Sequence, residues 1–359
     1  MAELYWDCAA AMPPEKTTLD FYHRMLTGHF ANQEAIHLLA YRERQALTQA
    51  GRELAQLLTG NGDDPVIWGG SATEIFRIIA TAPDFKTALI SNLEHPAIPA
   101  NFRHLAPEVW KSDRQGTITP GKAAVVPDLA CFHHIQSELG VIQNTSGLFA
   151  QLPGCCRMVD AVQAAGKIPL PAEADIWVIS GVKFGSPGGA AAILRRESKF
   201  TDMLCEHAEK LRKEQYALSR VSVPLALTMV YALKQALAQQ PQRFENLQFL
   251  RNTLINKCRE WQIVPTLPET APVSPYILNL LLPEQQSAIV VRALSERGIF
   301  IASGSACSAE SDTPSAAMLA IGRNRREAYR SLRLSFRGDE TPEDADFFLF
   351  ELENVLKNY

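Results

Sequence analysis

Apolar positions along the chain recur in two rhythms. Ile36, Leu39, Leu47, Leu54 and Leu58 fall at helical spacing and Gly60-Asn-Gly62 stops the run, so residues 33–59 read as a helix. Short β-type runs then alternate with helical stretches: Val66–Trp68, Thr87–Ile90, Leu129–Phe132, Arg157–Val159 and Ile176–Ile179. That alternation predicts an α/β fold, a mostly parallel sheet with helices on both faces. In such a sheet ligands gather beyond the carboxyl ends of the strands. Ser71, Asp160 and Lys183 all fall just past strand ends.

The second part of the chain reads differently. A long helix is predicted from Pro224 to near Gln240, with Pro241 dividing it from a second helix that ends about Trp261. A strand (Tyr276–Leu282), a helix (Ser287–Arg297), a strand (Ile299–Ala302), another strand (Ser331–Phe336) and a terminal helix from Pro342 follow. These elements suggest a smaller α+β domain. The expected division is a large domain over 15–245, with 1–14 and 246–359 forming the small one.

Composition narrows the functional classes. The 359 residues are 47% apolar and 21% charged, ordinary for a globular protein. A formal charge of -4 with no Lys/Arg block argues against nucleic acid as a partner. No run of eighteen apolar residues calls for a membrane, and the first residues lack the pattern of a signal peptide. The seven cysteines, an odd number without framework spacing, point to a reducing compartment and a cytoplasmic protein. The absence of Cys-x-x-Cys and His-x-x-x-His spacing argues against a metal site. Cys155-Cys156 reads as a buried strand entry.

The chemistry concentrates around Lys183. The run Ala174-Asp-Ile-Trp-Val-Ile-Ser-Gly-Val-Lys183-Phe-Gly-Ser-Pro-Gly-Gly189 is an apolar strand followed by a lysine and a glycine-rich turn. Upstream, Arg157-Met-Val-Asp160-Ala-Val-Gln163 ends a second strand in an acid. A lysine and an acid on neighbouring strand ends can hold the two ends of a pyridinium aldehyde, one as a Schiff base and the other at the ring nitrogen. Gly69-Gly-Ser-Ala-Thr73-Glu74 follows a strand and opens a helix, which makes it either an anion cradle or a plain helix cap. His95 precedes a proline at a strand end, and Ser180 is a further anion candidate. Cys307 sits in Ile301-Ala-Ser-Gly-Ser-Ala-Cys307-Ser-Ala309, a small-residue loop of the kind that exposes a thiol. Arg333 lies in an apolar strand, where an arginine usually has a carboxylate to bind.

Together these segments resemble the cysteine desulfurases, the class V branch of the fold-type I pyridoxal phosphate enzymes. The resemblance runs in order through Tyr5-Trp-Asp7-Cys-Ala-Ala10, His29-Phe-Ala-Asn32, Ser71-Ala-Thr73-Glu74, Glu94-His95 and Glu138-Leu-Gly-Val-Ile-Gln143. It continues through Val159-Asp160-Ala-Val-Gln163, Ser180-Gly-Val-Lys183, Ser303-Gly-Ser-Ala-Cys307 and Leu332-Arg333-Leu-Ser335. It implies a large domain built on a mostly parallel seven-stranded sheet, a smaller C-terminal α+β domain, and a homodimer binding pyridoxal 5'-phosphate. It further implies Lys183 as the covalent anchor, Asp160 at the ring nitrogen, Gln163 at the ring hydroxyl and His95 stacked on the ring. Ala72, Thr73, Ser180 and Ser222, the last from the partner subunit, would hold the phosphate. Arg333, Ser137 and Asn32 would meet the substrate, L-cysteine or a related amino acid. Cys307 would take sulfur as a persulfide for an acceptor protein.

Four departures from the family pattern bear on the substrate. Val182 stands where the family has histidine, Ser137 where it has asparagine, and Cys8 where it has asparagine. The Arg-x-Gly-Thr stretch before the long helix is replaced by Tyr216-Ala-Leu-Ser-Arg-Val-Ser222. A divergent desulfurase, another class V aminotransferase or amino-acid lyase, and a weakened homologue kept as a scaffold are the readings that remain.

Overall fold

The computed structural model describes residues 3–121, 125–214, 218, 220–304 and 313–358. The strands are β1 (Leu4–Tyr5), β2 (Val66–Gly69), β3 (Ala88–Ser91), β4 (Glu108–Trp110), β5 (Leu129–His133), β6 (Cys156–Asp160) and β7 (Ile176–Ser180). They continue as β8 (Ala190–Leu194), β9 (Val264–Pro265), β10 (Ile277–Leu281), β11 (Ile299–Phe300), β12 (Ala302–Ser303) and β13 (Ser331–Ser335). The helices are α1 (Lys16–Gly28), α2 (Leu38–Thr59), α3 (Ala72–Ala80), α4 (Ala97–Phe102), α5 (Thr145–Phe149) and α6 (Thr201–Lys213). After them come α7 (Val223–Cys258), α8 (Ser287–Ser295), α9 (Ala316–Ala320), α10 (Arg325–Ala328) and α11 (Pro342–Asn358).

Seven strands form one sheet in the order β2-β8-β7-β6-β5-β3-β4. All are parallel except β8, which runs against both its neighbours. Strands buried on both faces carry apolar residues at every position, and the period of two sorts them. In β7, Trp177 and Ile179 face a core shared with α2 and the first half of α7. Ile176 and Val178 face the opposite core, which includes α3, α4 and α6. Cys155 and Cys156 are buried at the start of β6, as expected. A second, antiparallel sheet in the order β12-β13-β10-β9 is separate from the first. Its core joins Trp6 to Leu254, Leu280, Leu334, Phe336 and Phe348.

Three expectations for the elements change. The helix expected over 33–59 begins only at Leu38, because the His37 ring caps it by accepting from the Ala40 amide at 3.1 Å. Pro241 does not divide the long helix: α7 is continuous through it. A proline inside a helix forfeits a hydrogen bond. Here α7 buries Val230, Leu233 and Ala236 in one core and Leu247, Leu250 and Leu254 in the other, so packing on both sides of Pro241 outweighs the lost bond. The strand expected over Ile299–Ala302 is two strands, because the chain changes partners at Ile301: β11 pairs with β1 and β12 with β13.

No described helix is long and apolar enough to cross a membrane. Among the described residues no group of three or more His, Cys, Asp or Glu side chains could hold a metal ion.

Candidate active site

The carboxyl ends of the parallel strands meet β13 and the N-terminal segment around a cavity of about 380 Å³. It is built strand by strand. After β2, Ser71 caps α3 by accepting from the Glu74 amide at 3.2 Å, and the Glu74 carboxylate accepts from the Gly70 amide at 2.6 Å. A Cβ on Gly69 would stand 2.9 Å from Ile75 Cδ1 and 3.2 Å from the Glu74 carboxylate, so both side chains would have to give way. Ser71, Ala72 and Thr73 line the cavity, and amides in a helix's first turn have no intrahelical acceptor. This corner suits an anion.

After β3, Glu94 is wholly buried and takes three donors: the Ser91 hydroxyl at 2.6 Å, the His133 amide at 3.0 Å and His133 Nδ1 at 3.0 Å. Gln143 settles the His133 tautomer. Its Oε1 accepts from the Ile118 amide, so its Nε2 is the donor to the Gly116 carbonyl and to His133 Nε2 at 3.3 Å. That leaves Nδ1 as the ring donor toward Glu94 and Nε2 as the acceptor from Gln143. The next residue, His95, lines the cavity, and its Nδ1 accepts from the Ala97 amide at 3.2 Å. Burial, and then the charge of Lys183, hold this imidazole below its ordinary value, while Glu94 opposes them. The neutral ring therefore carries its proton on Nε2.

Asp160 ends β6, directly opposite His133 in the register with β5. Its Oδ1 accepts from the Val162 amide at 3.0 Å. Burial raises its carboxyl to about 6 in the ligand-free chain, against the pull of that amide. After β7, Gly181 leads into a short turn that presents Lys183. Lys183 Nζ donates to the carbonyls of Ala9 at 2.9 Å and Ala10 at 2.5 Å. Gln163 Nε2 donates to the same Ala9 carbonyl at 2.9 Å.

From the second sheet, Arg333 reaches in, with Nη2 on Asp7 at 2.6 Å and Nη1 on the Ser137 carbonyl at 3.1 Å. Its Nε is buried with no hydrogen-bond partner. Each Nη carries a second N–H beyond the one so used, and these are the donors the guanidinium has for an incoming carboxylate.

Lys183, Asp160, Gln163, His95, Ser180, Ala72, Thr73, Ser137 and Arg333 thus line one cavity. Two expected residues do not line it within one chain. Ser222 caps α7, accepting from the Leu225 amide at 3.4 Å, and opens on a separate recess beside Gly69, Gly70 and Gly189. Asn32 is exposed between α1 and α2, where its side chain accepts from the Glu34 amide at 3.2 Å. Cys307 lies outside the described residues. A second cavity of about 250 Å³ shares Leu93, His95, Gln136, Ser137 and Arg333 with the first and extends to Gly304 and Thr313, the two flanks of the Cys307 segment. Glu138 lies there, accepting from the Ser315 hydroxyl. Burial raises its carboxyl to about 7, against that bond and Arg333.

Asp7, Glu94 and Glu138 stood inside recognised motifs without a role, and His133 had no signal at all. Nothing in sequence spacing announces that a buried carboxylate at 94 needs a partner at 133.

Residues 4–348 match the family described as aminotransferase class-V. The chain belongs to that family, whose members depend on pyridoxal 5'-phosphate. It is similar to cysteine desulfurase IscS 1 of Archaeoglobus fulgidus, 24% identical over 98% of this chain and 97% of the relative. It is also similar to cysteine desulfurase IscS of Salmonella paratyphi B, 26% identical over 96% of this chain and 90% of the relative. Among solved structures, a NifS-like protein superposes with a TM-score of 0.85 at 19% identity, covering 100% of both chains. A NifS-like protein from Rickettsia africae gives 0.83 at 17% identity, covering 99% of this chain and 100% of that one. These superpositions place the chain in the fold-type I transferase architecture.

The cavity's lining also suits the cofactor on its own terms: it includes a buried carboxylate (Asp160), the first residues of a helix (Ala72, Thr73) and a primary amine (Lys183).

Proposed function

We propose that the protein is a cysteine desulfurase that converts L-cysteine to L-alanine and takes the sulfur as a persulfide on Cys307. The observation that carries this reading is the second cavity, which joins His95 and Arg333 to both flanks of the Cys307 segment. A transaminating site has no use for such a connection. The naming of both curated relatives supports the same reading.

Pyridoxal phosphate, when bound, supplies an electron sink that makes the α-proton of a bound amino acid acidic. Asp160 would hold the proton at the ring nitrogen, Gln163 would donate to the ring oxygen, and Ala72, Thr73 and Ser180 would hold the phosphate. Ser222 of the partner would add to that phosphate set, and Asn32 would meet the substrate. Arg333 orients the substrate carboxylate through its unspent donors. Lys183 would anchor the cofactor and serve to move the α-proton, its amine positioned by the Ala9 and Ala10 carbonyls. His95 offers a proton at Nε2. The Cys307 thiolate attacks the substrate sulfur: the S–S bond forms as C–S breaks, the electron pair stays on carbon, and that carbon takes a proton to give alanine. The persulfide then passes to an acceptor protein.

A homodimer completes this reading. Phe30, Ile36, Leu38 and Tyr41 form an exposed apolar stretch around Asn32, which supports its burial against a second copy.

Supplied with L-cysteine, the wild-type protein should yield alanine and sulfane sulfur mapping to Cys307 by mass spectrometry. Cys307→Ser should keep the cofactor's visible band yet release almost no sulfide. Full turnover of another amino acid by Cys307→Ser, with no persulfide in the wild type, would favour a different class V reaction, for which Val182 and Ser137 speak. A wild type that takes up the cofactor and turns over no amino acid would leave the scaffold reading.

A further inference from the structure

Lys167 is a second buried lysine behind the site, 3% exposed, in the turn that follows Gln163. Its Nζ donates to Gln163 Oε1 at 3.2 Å and stands 5.8 Å from the centre of the Tyr276 ring. An ammonium only donates, so Gln163 Oε1 must face Lys167 and the amide nitrogen must face Ala9 and the cavity. Gln163 Nε2 and Lys183 Nζ both donate to the Ala9 carbonyl, each at 2.9 Å. Two lysines are thus linked through one amide and one carbonyl.

A buried ammonium is costly unless something is gained from it. The hydrogen-bond partner of Lys167 is an amide, not a carboxylate, so it does not close a buried ion pair. Burial lowers its amine to about 7; Cys8 raises it, and Lys183 and Arg333 push it down again. The titratable groups facing it are Cys8 and Tyr276, each raised to about 12 by burial, together with Lys183 and Arg333. Packing alone would be served better by methionine.

We propose that Lys167 is a positioning residue: it fixes the Gln163 amide so that Nε2 faces the cofactor's ring oxygen, and it sets a second positive charge behind Lys183. The inference rests on the pyridoxal phosphate reading of the cavity. Both effects act in one direction. A nearby cation disfavours a proton on the Lys183 nitrogen, and a firmly held donor makes the ring oxygen less basic. Removing Lys167 weakens both.

The test uses the holoenzyme with Lys167→Met and Lys167→Gln, following the visible band from about pH 6 to about pH 9, where Lys167 itself changes charge. The midpoint should rise in Lys167→Met by up to about one unit, the scale of a full neighbouring charge, because Lys167 gives up its own charge within this range. Lys167→Gln keeps a donor for Gln163 without the charge and should move the midpoint up by less. Cofactor affinity should fall in the same order. Midpoints and affinities equal to wild type in both variants overturn the proposal, and if the methionine variant does not fold, the glutamine variant decides alone. A wild type that takes up no coloured cofactor takes down the underlying reading instead, and is told apart by needing no variant.

Discussion

Arg333 Nη2 lies 2.6 Å from the Asp7 carboxylate, tying β13 to the segment that crosses above Lys183. The pair is mostly buried, with side chains 10% and 22% exposed, so Asp7 holds the guanidinium in one pose while Nε stays unspent. A bidentate fork on a substrate carboxylate becomes a point charge in Arg333→Lys. Losing one charge-assisted hydrogen bond costs about 1.5–3 kcal/mol, so the Michaelis constant should rise roughly ten- to a hundredfold. Steady-state kinetics with L-cysteine check this; an unchanged constant would assign Arg333 to holding Asp7 only.

Asp160 makes a second prediction, about stability. Burial raises its carboxyl from 3.8 to about 6 in the cofactor-free chain. Between those values the native state binds more protons than the unfolded state, so stability falls as pH rises. Above about pH 6 the contribution is on the order of 3 kcal/mol unfavourable, from the size of the shift. Asp160→Asn should therefore melt higher than wild type at pH 7 as apoprotein, while binding the cofactor more weakly. Thermal melts of both apoproteins at about pH 4.5 and pH 7 read the difference; a wild type equally stable at both, and no gain in the variant, would refute it.

Five of the seven sheet strands were legible in sequence because short apolar runs alternate with helical stretches, and candidate site residues because they follow those runs; β4 and β8 were not read. Lys183 and Asp160 stood out by that reasoning, whereas His95 took its role from the family resemblance. What was hidden depends on contacts far apart in the chain. Pro241 reads locally as a break, and only the cores on either side of it explain a continuous α7. Asp7 finds Arg333 326 residues away, and Glu94 finds His133 across neighbouring strands. Ser222 and Asn32 lie outside the cavity of one chain, which no spacing within one sequence reveals.

The Glu94–His133 pair should be structural first. With side chains 0% and 3% exposed, replacing His133 by leucine leaves a buried carboxylate short of one donor. Losing a hydrogen-bond donor to a buried carboxylate in this way costs about 1.5–3 kcal/mol. His133→Asn keeps a side-chain N–H and should recover part of that loss. Chemical denaturation of the three proteins checks the order; a leucine variant as stable as wild type would mean that Glu94 is held by Ser91 and the backbone alone.

Gly181 gives the sharpest steric prediction. It joins β7 to the turn carrying Lys183, and its amide donates to the Gly189 carbonyl at 2.8 Å. A Cβ there would lie 2.5 Å from the Gly188 carbonyl oxygen and 2.8 Å from Ser186 Cβ, both part of the loop that returns to β8. Neither neighbour is the flexible end of a long side chain, so the backbone itself must shift. Overpacking of this kind costs about 1–3 kcal/mol. The shift acts two residues before Lys183 and one after Ser180, so it should displace the amine and the phosphate-side hydroxyl together. Gly181→Ala should therefore fold, melt lower than wild type, and bind pyridoxal phosphate at least tenfold more weakly, for which about 1.4 kcal/mol suffices. Equilibrium titration with the cofactor reads the affinity. A variant that loses stability but binds the cofactor as tightly as wild type would show that the strain relaxes into Ser186 and Gly188, away from Lys183.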